Sequence, residues 1–414
     1  MQMPTHNTHI PARPDTIPFI SPDTSAMFIM MKRSLYLLTF LLASLIGVAL
    51  AAPPSAPTGV CIEHAEGVDC AASPATTPPS GSTGGATIIK PQSINNPSNF
   101  HPGYYAYLGK SNGSPLQASS ISAISANPDF TGIKRSYSWR SLEPTKGSYN
   151  FTVIEKDLAL VQSTGKRFWI TITYNEYNSN LGPDIPAYMF TDPAYGCGPT
   201  YYGAYQGNDG SWRPCLWNQN LQNKLAALYS ALGARFNKEP YFEGTNLGET
   251  AINTAGAAAS PGYSARGVEE GFKVIALAAK RAFPDKTVLQ MINFAVFDLE
   301  GFANWMVSNE IGIGSPDMLL SNNGLLDVVF PQYLKYHDLV PTGPDVQWGN
   351  YEKINTGLGR PNTAEELLLG AIKHTNPWYI FWQNRDPYFS EDVVPAIRNY
   401  GSIPAAKQFY NSLN

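Results

Sequence analysis

The chain has 414 residues, 43% of them hydrophobic and 14% charged, with a formal net charge of -4. The length exceeds one ordinary domain but suits a single barrel, which takes about 250 residues or more. Slight acidity leaves no basic footprint, so nucleic acid is not an expected partner. The 23 Tyr and 8 Trp instead suit a neutral, hydroxyl-rich ligand stacked on rings.

In chain order, the first element is "MKRSLYLLTFLLASLIGVALAAP" from Met31. It has a basic start (Lys32, Arg33), an apolar run from Leu35 to Val48, and Ala49-Leu50-Ala51 as a small-residue cleavage site. This is the pattern of a signal peptide. A retained membrane anchor is the alternative, because the uncharged stretch nearly reaches spanning length. Residues 1–30 lack signal character, so Met31 is a candidate start, and residues 1–51 are set apart as the signal region. The mature chain is then expected to be secreted or periplasmic, with no stable membrane insertion after cleavage. Residues 52–100 form a short segment bearing Cys61 and Cys70 and a Pro/Ser/Thr-rich flexible linker. With Cys197 and Cys215 the cysteine count is even, and in an exported chain local 61–70 and 197–215 disulfides are the simplest pairing. No CxxC or His spacing favours zinc, so neither metal nor cofactor is expected.

From His101 the pattern alternates short apolar runs with helical periods. The predicted strands are Tyr104–Gly109, Ile133–Trp139, Arg167–Tyr174, "YFEGTN", Thr287–Phe294, "IGIGSPD", "GPDVQW" and Trp378–Arg385. Between them, Thr152 with Glu155 and Thr363 with Glu366 read as capping boxes at helix starts. Leu221, Leu225, Leu228, Leu232 and Phe236 recur at helical spacing as one buried stripe, and Ser260-Pro261 opens a further helix. Strand-then-helix units with apolar, non-alternating strands predict an α/β fold, a closed (β/α)8 TIM barrel over residues 101–414. A doubly wound sheet is the alternative, but no GxGxxG or Walker-type loop appears.

Such barrels carry their chemistry at the C-terminal strand ends. Those ends hold Arg135, Tyr174, Glu176, Asn246, Glu249, Asn293, Asp317, Gln347, Trp382 and Asp386. The insertion after strand three adds Tyr201, Tyr202, Tyr205, Trp212 and Trp217. Rings stack on sugar faces, amides bond hydroxyls and paired acids cleave glycosidic bonds, so this rim points to a carbohydrate substrate.

"IKRSYSWRSLEPTKGSYNFTVIEKDLALVQSTGKRFWITITY", with Trp139, Leu142, Glu143, Pro144, Gly147, Tyr149 and Phe151, resembles the second-to-third strand region of retaining glycoside hydrolases of the large (β/α)8 clan, which includes cellulases and β-galactosidases. The resemblance implies hydrolysis of β-linked poly- or oligosaccharides. It also implies an acid/base Glu ending strand four, a nucleophilic Glu ending strand seven, and a Trp platform on strand eight. Glu249 and Trp382 fit the first and third. Two departures stand out: Gly248 precedes Glu249 where the clan has Asn, and strand seven ends in Gln347-Trp348, with Glu352 the next carboxylate. Retention needs two carboxyls about 5–5.5 Å apart and inversion about 6.5–9.5 Å. Glu352 is ranked first as the partner of Glu249, ahead of Glu176 and Asp386, with Asp317 last. Arg135, Tyr174, Glu176, Asn246, Asn293, Gln347, Trp382 and Asp386 are the expected substrate-binding groups. Two alternatives follow from the same features: a barrel that binds glycan without cleaving it, lacking the second carboxylate, and an envelope protein held by an uncleaved anchor.

Overall fold

The computed structural model describes residues 59–64, 67–72, 90–95, 97–178 and 180–412, the first two segments as backbone. The chain divides into two compact units, 1–86 and 87–414. In the first, strands Gly59–His64 and Gly67–Ala72 pair antiparallel, with Cys61 opposite Cys70 in the backbone register. The expected signal region, the linker up to residue 89 and the side chains of a 61–70 bridge lie outside the described residues.

The second unit is a closed barrel of parallel strands: β1 (Gly103–Lys110), β2 (Phe130–Ser138), β3 (Arg167–Thr173), β4 (Phe242–Leu247), β5 (Thr287–Met291), β6 (Gly312–Ser315), β7 (Thr342–Val346) and β8 (Tyr379–Gln383). Each pairs with its sequence neighbours, and β8 closes on β1. Each of the eight sequence-predicted strands overlaps one of these, with bounds that differ by up to three residues. Helices α1 (Ala118–Ala126), α2 (Thr152–Ser163), α3 (Gln219–Phe236), α4 (Ala265–Ala282), α5 (Leu299–Ser308), α6 (Phe330–Tyr336), α7 (Ala364–Thr375) and α8 (Val394–Tyr400) follow the strands in turn. Among the described residues no helix is long and apolar enough to cross a membrane.

Local chemistry explains the helix starts, with two corrections. The Thr363–Glu366 box forms reciprocally at α7. At α2 it does not: Asn150 takes the Thr152 N–H, and Glu155 turns to Arg235 on α3, so an ion pair between helices replaces the box. Helix α4 starts after Ser264, whose hydroxyl accepts from the Gly267 N–H, rather than at Ser260-Pro261. The predicted leucine stripe of α3 is buried throughout.

Successive strand residues face opposite sides. In β8, Tyr379 and Phe381 point into the barrel, where they pack with Tyr105 and Trp169; the Trp169 ring centroid lies 4.9 Å from each of them. Gly244 leaves room for this layer, since a Cβ there would stand 2.9 Å from the Trp169 ring. Trp382, one residue on, faces the other way into the helix layer and is fully buried. Arg135 likewise leaves the interior and pairs with Asp157 of α2. The aromatic layer plugs the barrel and forms the base on which polar groups sit.

Candidate active site

Above that layer, Lys134 of β2 lies 4.5 Å from the Phe381 ring centroid and 4.8 Å from that of Tyr107. Its ammonium contacts both oxygens of Asp345 on β7, at 2.7 and 2.5 Å. Trp169 donates to the Asn246 side-chain carbonyl at 2.9 Å, which turns the Asn246 amide N–H toward Asp345 at 3.5 Å. Burial raises Asp345 to about 6, with the nearby charge of Asp317 adding and Lys134 opposing. Burial also lowers Lys134, against the pull of Asp345. Sequence analysis missed both groups. Asp345 lies inside the predicted strand "GPDVQW", short of the C-terminal end where Gln347 stands, and Lys134 precedes Arg135, the residue of that strand expected to bind substrate.

These groups floor a cavity of about 280 Å³ at the C-terminal ends of the strands, walled by Tyr174, Asn246, Glu249, Asp317, Tyr177 and Gln347 among others. Glu249 follows β4 and accepts from the Asn293 amide at 2.6 Å. Asn293 is fixed in turn: its carbonyl accepts from the Ala251 N–H at 2.6 Å and its own N–H donates to the Thr250 hydroxyl at 2.8 Å. Burial first, and the charge of Asp317 second, push Glu249 up to about 7, with the Asn293 bond opposing. A carboxyl tuned there holds its proton near neutrality. The Gly248 departure has a steric cause: a Cβ at that position would meet the Tyr174 hydroxyl at 2.2 Å, so the Tyr174 ring occupies the space a side chain would need.

Asp317 follows β6 and accepts from the Asn350 amide at 3.0 Å; burial raises it, with Asn350 and Lys353 opposing. Asn350 belongs to the short helix Trp348–Glu352, capped reciprocally with Gln347. Three carboxyls thus share one cavity, each held by its own amide or ammonium. Among the described residues, no group of three or more His, Cys, Asp or Glu is arranged to hold a metal ion.

Of the residues singled out in the sequence, Tyr174, Asn246, Glu249, Asp317 and Gln347 line the cavity, and Asn293 holds Glu249. The others lie elsewhere. Glu352 ends its short helix exposed to solvent, because Asn350 and Tyr351 are the residues that helix buries. Trp382 and Arg135 face the helix layer by strand parity. Glu176 is engaged by Lys110, which also bonds Asp184 at 2.9 Å, a pair that anchors the insertion after β3. Asp386 is exposed and accepts from the Ser390 N–H. The Cys197–Cys215 disulfide is present, and within the insertion it closes, Tyr205 and Trp212 are buried while Tyr202 is exposed.

Fold and site together define a (β/α)8 barrel with a carboxylate-lined cavity at its C-terminal face, the position at which such barrels place their chemistry. The chain is similar in structure to the catalytic domain of β-amylase from Paenibacillus polymyxa, with a TM-score of 0.52 and 11% identity over 75% of this chain and 98% of that one. It also matches β-galactosidase from the psychrophilic Marinomonas ef1 (TM-score 0.46, 9% identity, 75% of this chain and 59% of that one). A psychrophilic glycoside hydrolase family 10 endo-β-1,4-xylanase matches with a TM-score of 0.40 and 11% identity, over 68% of this chain and 86% of that one. At these identities the likeness is one of fold, and the resemblance to (β/α)8 glycoside hydrolases holds at that level. No protein-family model matches the sequence, and no curated protein is similar to it.

Proposed function

We propose that the barrel is an exported glycoside hydrolase acting on β-linked poly- or oligosaccharides, with Glu249 as the acid/base and Asp317 as its partner carboxylate. One observation carries this: Glu249, raised to about 7, shares a cavity with a second carboxyl whose charge perturbs it. Glycosidic cleavage requires two carboxyls within one pocket, one of them holding its proton near neutrality. Protonated Glu249 donates to the glycosidic oxygen as the bond from that oxygen to the anomeric carbon breaks, and Asp317 faces the positive charge that develops on the sugar. In the retaining course implied by the clan resemblance, an Asp317 oxygen bonds to the anomeric carbon. Water then attacks that carbon, giving its proton to the Glu249 carboxylate and releasing Asp317. The Lys134–Asp345 pair at the floor supplies donors and acceptors for sugar hydroxyls. Asp317 in the same cavity supports this reading over a barrel that binds glycan without cleaving it, the alternative that lacks a second carboxylate.

The test is reducing-sugar release across a polysaccharide panel by protein beginning at Ala52, followed by NMR of the first-formed anomer. Hydrolysis lost in Asp317→Asn supports the assignment, and full activity of that variant refutes it. Retention marks Asp317 as nucleophile and inversion marks it as base. Export and the mature start near Ala52 are checked by N-terminal sequencing of protein from the culture or periplasm.

A further inference from the structure

The cavity, at about 280 Å³, falls just below the range of about 300–1,000 Å³ that encloses a drug-sized ligand. It can hold little of a glycan chain, so affinity for a polymer must come from outside it. Three solvent-exposed rings stand at or beside its mouth: Tyr177 at 58%, Trp348 at 48% and Phe294 at 47%. Each adjoins the site. Tyr177 is itself a cavity wall, Phe294 follows Asn293, and Trp348 follows Gln347.

Two of these rings are held from one side by a cation. The guanidinium carbon of Arg213, a residue only 7% exposed, lies 4.3 Å from the Tyr177 ring centroid. That of Arg385 lies 5.9 Å from the Trp348 ring centroid, and the Trp348 backbone N–H donates to the Gln383 side-chain carbonyl at 2.8 Å. A ring covered by a cation on one face offers its other face to solvent, and the C–H face of a sugar is a suitable partner for it.

Barrel order places these rings relative to the cleavage point. Tyr177 follows β3 and Trp348 follows β7, and four steps separate those strands in either direction round the closed sheet, so they stand on opposite sides of the mouth. Glu249 after β4 and Asp317 after β6 occupy the arc between them, with Phe294 after β5 at its middle. We infer that the substrate is a long glycan lying across the mouth from Tyr177 to Trp348, with sugar units on both sides of the bond that is cut, so that cleavage is internal to the chain. The internal cleavage rests on the proposed hydrolase activity, whereas the length-dependent groove does not.

The experiment separates the two. Calorimetry on full-chain Glu249→Gln protein with cello-, xylo- and mannooligosaccharide ladders, from disaccharide to hexasaccharide, should give affinity that climbs with length for at least one ladder. Tyr177→Ala and Trp348→Ala, added singly, should each weaken hexasaccharide binding about tenfold and disaccharide binding much less. Unchanged thermal midpoints would confirm that these exposed truncations leave the fold intact. On the matching polysaccharide, wild-type protein should lower viscosity well before reducing ends accumulate. Affinity independent of length, ring variants that bind every length as before, or no binding to any ladder overturns the groove, even if the wild type hydrolyses glycan. Length-dependent binding without hydrolysis overturns the hydrolase assignment and leaves the groove standing.

Discussion

Replacing Glu249 by Gln should stabilise the barrel above neutrality while abolishing turnover. The carboxyl rises from an ordinary 4.5 to about 7, chiefly through burial. Between those pH values the folded state holds a proton that the unfolded chain has released, so wild-type stability falls as pH rises through the window. At about 1.4 kcal/mol per pH unit the full penalty is about 3 kcal/mol above pH 7, and water reaching the open side of the cavity reduces it to about 2 kcal/mol. Gln keeps an acceptor for the Asn293 amide but carries no charge, so the variant lacks the penalty. Its thermal midpoint should match that of the wild type near pH 4.5 and exceed it by about 4 °C at pH 8. Loss of the proton donor should cut turnover of natural glycans about 10²–10⁴-fold, with activated aryl glycosides less affected. Differential scanning fluorimetry from pH 4 to 9 reads the first effect and reducing-sugar assays the second. A midpoint difference that does not vary with pH would refute the perturbed, protonated Glu249 on which the acid role depends.

The other predictions concern the neighbours. Wild-type activity should fall as pH rises through about 7, where Glu249 loses its proton; Asn293→Ala removes a bond that favours the carboxylate, so that limb should move to higher pH in a pH–rate profile. Asp317→Asn should abolish hydrolysis whereas Glu352→Gln should leave it within about twofold, a comparison that one panel assay settles. Lys134→Ala strands the buried Asp345 carboxylate and should cost about 3–5 kcal/mol in urea denaturation at pH 7. Trp382→Ala should cost a similar amount through the cavity it leaves in the core.

The fold was legible because each strand is an apolar run bounded by helix signals, and the Thr363–Glu366 box and the leucine stripe of α3 marked helices by the chemistry they then display. The site was harder for a reason tied to the same architecture. Strands of a parallel barrel are buried on both faces, so hydrophobic alternation gives no parity, and parity decides which residue enters the cavity. The family resemblance makes Trp382 a platform, although Tyr379 and Phe381 hold the inward positions. The same one-residue ambiguity separates Arg135, which faces the helices, from Lys134, which faces the cavity. Asp345 went unnoticed because a charged residue inside a barrel strand is stable only with a partner on a distant strand, here Lys134, 211 positions away. Position along the chain favours Glu352, whereas the turn after β7 folds into a short helix that sends Asn350 inward and Glu352 out. Glu249 was the most readable residue of the site, since its place after a short strand follows from the barrel alone.

The central claim, that Glu249 and Asp317 flank a scissile glycosidic bond, is tested most directly by a crystal structure of the Glu249→Gln variant with an uncleaved oligosaccharide of the polysaccharide it hydrolyses. The expected result is a glycosidic oxygen about 2.6–3.2 Å from the side chain at position 249, with Asp317 facing the anomeric carbon from the opposite side of the sugar. A glycan bound away from the cavity, or one whose anomeric carbon faces a different carboxylate, would contradict the account.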